Sequence, residues 1–173
     1  HKDHHRRRHV MEETKKKTEE RLYELLKAKG LTVSVAESCT GGMICSRLVD
    51  IPGVSEVFKE GYVTYSNKAK RRTLDVSKST LKKQGAVSSQ TAKEMALGAA
   101  MASDSDIAVS VTGNAGPSAE EGKPVGLVYI GIYCKGKVKA YEFSFEGERR
   151  DIREQAAEEA LRICCEAAEK LKS

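Results

Sequence analysis

The chain has 173 residues, of which 39% are hydrophobic, 32% charged and 5% aromatic, with no Trp; that length suits one domain with its own core. No apolar run approaches the roughly 18–20 residues of a membrane span, and the scarcity of aromatics argues against a stacking binder of single-stranded nucleic acid. The net charge of +5 is uneven, because Lys2, Arg6, Arg7 and Arg8 outweigh Asp3 in the first ten residues, and the nearly balanced remainder is weak ground for a nucleic-acid partner.

In chain order, His1–Val10 reads as an expression tag or leader that holds all four histidines, and residues 11–173 read as a single domain. From Met11 onward there is no histidine. A Ser-His-Asp triad, a Cys-His dyad and a His-ligated metal are therefore excluded there, and a general base has to be Lys, Asp, Glu or Tyr. Glu12–Lys29 has helical spacing through Leu22, Leu25 and Leu26, with Gly30 as its stop. Leu31–Ala36 is a β-branched strand, and Met43–Asp50 returns to helical spacing. The polar segment Glu37–Gly42 therefore sits at a strand-to-helix turn. Gly61–Tyr65 reads as a strand, Ser66–Thr73 as a polar, basic loop, Ser79–Gln84 as a short helix, and Ser89–Ala102 as a helix capped by Ser88 or Ser89. Ile107–Val111 is a buried strand, followed by a small-residue loop over Thr112–Lys123. Val125–Cys134 and Lys137–Glu146 form a hairpin around Lys135-Gly136, and Arg149–Leu171 is the last helix. Alternating strands and helices with a late hairpin predict a three-layer α/β/α sandwich on a mixed, mostly parallel sheet. Five cysteines, an odd number without a CxxC spacing, fit free thiols in a reducing, cytoplasmic compartment. Cys164 and Cys165 are adjacent on a helix, so at most one of them is expected in the core.

Three small-residue loops follow strands, where α/β sheets bind ligands. In Glu37–Gly42, Gly41 and Gly42 allow close approach to backbone N–H groups at a helix start, which favours an anion or oxyanion. Ser38 and Cys39 both offer nucleophilic atoms there; the structural alternatives are a helix cap for Ser38 and a small core residue for Cys39. The second loop, Tyr65–Lys70, carries Lys70, and a confined lysine can lose its proton and act as a base. Without histidine, a Ser-Lys or Ser-Lys-Tyr set is the natural way to activate a hydroxyl. The third loop, Thr112–Pro117, can supply oxyanion N–H groups or cradle a phosphate. Arg149, Arg150 and Arg153 open the last helix, where cations oppose the helix dipole; either an anionic ligand or pairing with Glu148, Asp151 or Glu154 offsets that.

Together these segments resemble the C-terminal domain of the competence/damage-inducible CinA family, whose stand-alone form is a nicotinamide-nucleotide amidohydrolase. The matching pieces are VAESCTGG (35–42), R-L-x-x-x-P-G (47–53), GYVTYSN-x-AK (61–70), GAVS (85–88), TG-x-AGP (112–117), KPVG (123–126) and GERR-x-x-R (147–153). The resemblance implies a CinA-like fold and deamidation of nicotinamide mononucleotide to nicotinate mononucleotide and ammonia, without cofactor or metal. It carries the family's catalytic positions to Ser38, Tyr65, Lys70 and Thr112. Substrate binding falls to Thr40, Gly41 and Gly42, to Ser66 and Asn67, to Gly113, Gly116 and Lys123, and to Arg149 and Arg153. The chain departs from the family at Asn114, usually apolar, and at Ser118–Gly122, which is shorter and poorer in glycine.

The resulting expectation has Ser38 attacking the carboxamide while Lys70, held by Tyr65, takes and returns the proton. N–H groups near Gly41, Gly42 or Gly113 hold the oxyanion, and Cys39 is the alternative nucleophile. Arg149 and Arg153, four apart on one helix face, line the pocket or order the catalytic loops, and Arg150 points elsewhere. The alternative function is a nucleotide-binding module without turnover. The partners expected are a small nucleotide and, from the resemblance and the Ala-rich last helix, further copies of the chain, with no nucleic acid or membrane.

Overall fold

The computed structural model describes residues 16–172; the leader at 1–10 and the first residues of the expected opening helix lie outside them. The element order is α1 (Thr18–Lys29), β1 (Val33–Glu37), α2 (Met43–Val49), β2 (Phe58–Val63), α3 (Asn67–Leu74), α4 (Lys78–Lys83), α5 (Ser89–Ser103), β3 (Ile107–Gly113), β4 (Leu127–Cys134), β5 (Lys137–Ser144) and α6 (Arg149–Lys170). The five strands lie in the order β2-β1-β3-β4-β5. β1 pairs in parallel with both β2 and β3, and β4 runs antiparallel to β3 and β5. Four of the five strands thus point the same way.

Helices cover both faces, giving an α/β/α sandwich. On one side Leu22, Leu26, Ile44, Leu48, Ile152 and Leu161 pack on Val33, Val35, Val109 and Val111. On the other, Leu74, Leu81, Met95 and Ala99 pack on Ala36 and Ala108. β1 is buried along its whole length, as a central parallel strand covered on both faces must be.

Two local expectations are corrected. Ser66–Thr73, expected as a loop, is the helix α3. The Ser66 hydroxyl caps it by accepting from the Ala69 N–H (3.0 Å), and Asp75 ends it in the left-handed region (φ +58°). Its mean polarity masked a narrow inward stripe made by Lys70 and Leu74, four residues apart. Cys164 and Cys165 are both buried, because α6 lies between the sheet and α1: Cys164 belongs to the core, and the Cys165 thiol reaches the Thr18 carbonyl.

Strand register prepares the site. Glu37 stands level with Val63 on β2 and with Val111 on β3. The next residue of each strand path is Ser38, Thr64 or Thr112, so three hydroxyl-bearing residues gather where the parallel strands end. Brackets of main-chain hydrogen bonds hold them there: Ser38 N–H to Val111 O (3.0 Å) and Thr64 N–H to Glu37 O (2.8 Å).

Candidate active site

Ser38 is the first residue past β1, and the turn that follows it is fixed from below by Glu37. The Glu37 side chain is fully buried and accepts from the N–H groups of Ile44 and Cys45 (both 3.0 Å). It thereby satisfies two of the unpaired donors at the start of α2, a task that leaves Ser38 free of capping. Gly41 (φ +57°) and Gly42 (φ +104°) complete the turn in the left-handed region, which glycine enters without a Cβ clash.

Lys70 comes from one turn inside α3. Only 1% of its surface is exposed. Its ammonium nitrogen lies 3.0 Å from Ser38 Oγ and donates to the Thr64 carbonyl at 2.9 Å. Burial drives the Lys70 pKa down, and the charge of Glu121 opposes that shift. Tyr65, expected to hold Lys70, is instead exposed, and its hydroxyl accepts from Arg149 Nη2 (3.0 Å). Cys39 is buried beside Ser38, and burial pushes its thiol up to about 12. A thiol so raised is protonated at neutral pH and is a poor nucleophile.

Around this pair lies a cavity of about 220 Å³, lined by Ser38, Tyr65, Asn67, Lys70, Thr112, Gly113 and Arg149 among the anticipated residues, and also by Cys39, Ala86, Val87, Asn114, Ala115, Glu120 and Glu121. Thr112 donates to the Ala86 carbonyl (2.7 Å) and so ties β3 to the wall at 86–87. At Gly113 a Cβ would stand 2.6 Å from a Val128 methyl and 2.8 Å from the Leu127 carbonyl, so β4 can approach only a glycine.

The remaining anticipated residues support the cavity from outside. Ser66 caps α3. The Thr40 side chain is buried, and its hydroxyl has no hydrogen-bond partner among the described residues. Gly41 and Gly42 line a separate open cleft with Arg47, Arg150 and Arg153, and the Gly41 N–H is taken by the Ser38 carbonyl (3.0 Å). The N–H groups of Cys39 and Thr40 directly follow Ser38 in this turn and bond to no main-chain carbonyl among the described residues. Arg153 lies between cleft and turn and donates to the carbonyls of Cys39 (2.9 Å) and Thr40 (3.0 Å). Arg149 donates to the Gly116 carbonyl as well as to Tyr65, whereas Arg150 pairs with Glu154 on the surface. Lys123 donates to the carbonyls of Gln84 and Val87.

Sequence reasoning missed three contributors. Asn114 folds the third loop on itself, donating to the carbonyls of Ser118 (3.1 Å) and Lys123 (3.2 Å) and accepting from the Gly116 N–H (3.0 Å). Glu121 accepts from the N–H groups of Ala86 (3.0 Å) and Val87 (3.1 Å). Glu37 was visible only as part of a polar run. The sole signal for Asn114 was its replacement of an apolar residue. A larger groove between β4, β5 and the end of α6 includes Cys134, Lys137, Lys139 and Lys170, but it lacks a hydroxyl in contact with a base like Ser38 with Lys70.

A buried lysine at hydrogen-bond distance from a serine at a strand end can generate a nucleophilic alkoxide without histidine. Known proteins share both the sequence and the fold of this chain. The sequence profile of the CinA C-terminal domain matches residues 15–168. A Caldicellulosiruptor saccharolyticus protein named for competence-damage induction is 55% identical over 146 residues, 84% of this chain and 36% of the relative. A CinA-like protein of Kosmotoga olearia is 51% identical over 83% of the chain and 35% of its own length. The chain thus spans about a third of the curated relatives it matches. The CinA superfamily protein of Klebsiella pneumoniae superposes with a TM-score of 0.86 at 31% identity, over 90% of this chain and 100% of that one. The competence/damage inducible protein CihA of Agrobacterium tumefaciens gives 0.81 at 42% identity, over 87% and 94%. Profile, sequence and fold agree across nearly all the described residues, and the chain belongs to the CinA C-terminal domain family.

Proposed function

We propose that the chain hydrolyses the carboxamide of nicotinamide mononucleotide to nicotinate mononucleotide and ammonia. The observation that carries the reading is the buried 3.0 Å contact between Lys70 Nζ and Ser38 Oγ. The substrate is suggested by the family's stand-alone form. Lys70, whose charged form burial disfavours, accepts the hydroxyl proton in its neutral form as Ser38 Oγ attacks the carboxamide carbon. The N–H groups of Cys39 and Thr40, just past the nucleophile, are the donors assigned to the resulting oxyanion, a placement that suits its stabilisation. The Lys70 ammonium returns its proton to the departing nitrogen, the C–N bond breaks, and ammonia leaves an acyl-Ser38 ester. Water then adds to the ester with Lys70 again as base, and the proton goes back to Ser38 as the carboxylate is released. Arg149 supplies the cation at the cavity for the substrate's phosphate.

The test is ammonia release from nicotinamide mononucleotide. Ser38→Ala should lose about a thousandfold or more in kcat, whereas Cys39→Ala should keep the bulk of the activity. The reverse ranking would make the thiol the nucleophile. Binding of the nucleotide without ammonia would leave a nucleotide-binding module instead.

A further inference from the structure

The cavity at Ser38 is lined by charges of both signs, Arg149 on α6 and Glu120 and Glu121 on the loop before β4, all three on exposed residues. Glu121 is held in place by several restraints. Its carboxylate accepts two main-chain N–H groups of the 86–87 wall. Its backbone occupies the left-handed region at φ +54°, which a residue with a side chain keeps only where its surroundings impose it. Lys123 grips the same turn from the opposite side of its peptide groups, at the carbonyls of Gln84 and Val87. The exposed Glu120 carboxylate has no ion-pair or hydrogen-bond partner among the described residues, so only solvent screens its charge.

These carboxylates stand where more negative charge has to develop. Attack on a carboxamide converts its oxygen to an oxyanion, and negative charge on the cavity wall opposes that change. The opposition vanishes when the substrate brings a positive charge of its own next to the reacting carbonyl. We infer that Glu121, with Glu120, is a specificity-determining pair that selects carboxamides borne on a positively charged ring, with the ring toward the 120–121 loop and the substrate's anionic end toward Arg149. This rests on the amidase reading of Ser38 and Lys70. In a cavity of about 220 Å³, a ring whose carboxamide touches Ser38 cannot stand far from either carboxylate. Charge at that range is felt without direct contact.

The experiment compares nicotinamide mononucleotide with its reduced dihydropyridine form, nearly the same shape but uncharged at the ring. Ammonia release and calorimetric binding are measured for the wild type, Glu120→Gln and Glu121→Gln. The quantity read is the ratio of the two kcat/KM values, in which the inherent reactivities cancel between variants. Glu121→Gln should lower the preference for the charged ring by about tenfold, between the worth of a charge contact in bulk water and of one near a protein surface, and Glu120→Gln should lower it in the same direction. A clamp that only shapes the loop would weaken both substrates together. An unchanged ratio in both variants therefore overturns the inference, and Glu120→Gln remains decisive even if Glu121→Gln loosens the 86–87 wall. Wild-type protein that binds the nucleotide but releases no ammonia overturns the amidase reading instead, and the ratio of the two binding constants across the variants then decides charge selection. Binding of neither form overturns both.

Discussion

At the scale of single residues, the chemistry turns on the proton of Lys70. The base has to be neutral, so kcat/KM should rise with pH through a pKa that burial sets below the ordinary lysine value of 10.5. The same group links stability to pH. Between its lowered folded pKa and 10.5, the unfolded chain binds a proton that the folded chain does not, so folding stability rises with pH across that window. Measured by denaturation against Lys70→Met, which carries no titrating amine, the wild type should gain relative stability from neutral pH toward about pH 10; a flat difference would mean that Lys70 is charged in the folded protein. Lys70→Met should also lose about 10²- to 10⁴-fold in kcat. The Ser38 and Lys70 pair was legible, because the absence of histidine left few bases and the matching motifs named the positions. The partner of Lys70 was not: the sequence pointed to the Tyr65 ring, and the acceptor is a main-chain carbonyl of Thr64, an atom every residue possesses and none advertises.

At the scale of elements, α6 followed its sequence pattern and α3 did not. Helical spacing placed Arg149 and Arg153 together and Arg150 apart, but Arg149 faces the Ser38 cavity while Arg153 and Arg150 border the neighbouring cleft; only the surface pairing of Arg150 with Glu154 sets it apart from Arg153. What spacing could not show is that Arg153 addresses the turn after the nucleophile from a neighbouring cleft. Its role is positioning, so Arg153→Ala should cost roughly ten- to hundredfold, the worth of hydrogen bonds from a charged donor, and the loss should fall on kcat more than on KM. Arg150→Ala should leave both near wild type; steady-state kinetics of the two variants decides it. The start of α6 needs no anion to offset its cations, because Glu148 and Asp151 form a reciprocal capping box there. Segment α3 escaped detection because a short helix with only two buried positions, one of them Lys70 itself, has too weak a stripe to stand out in a run with seven basic residues over 68–83.

At the scale of the whole molecule, the alternation of strands and helices sufficed for the layers, while the use of the alanines in α6 required the packing. Ala156, Ala157, Ala160 and Ala168 are completely buried within the chain, so the alanine stripe serves close approach of α6 to the sheet and α1 and is not available to a second copy. Ala160→Leu should therefore destabilise the fold by about 1–3 kcal/mol through overpacking, read by chemical denaturation, with the oligomeric state by light scattering unchanged. Five basic side chains of this fold, Lys29, Lys70, Lys123, Arg149 and Arg153, share one habit: each donates to main-chain carbonyls. The consequence is evolutionary. A side chain that bonds a carboxylate drifts in concert with it, but one that bonds a carbonyl has no partner able to mutate. The restraints that shape this site should leave almost no trace of paired substitution between relatives, only donors that tolerate little change facing acceptor positions that accept nearly any residue the backbone allows.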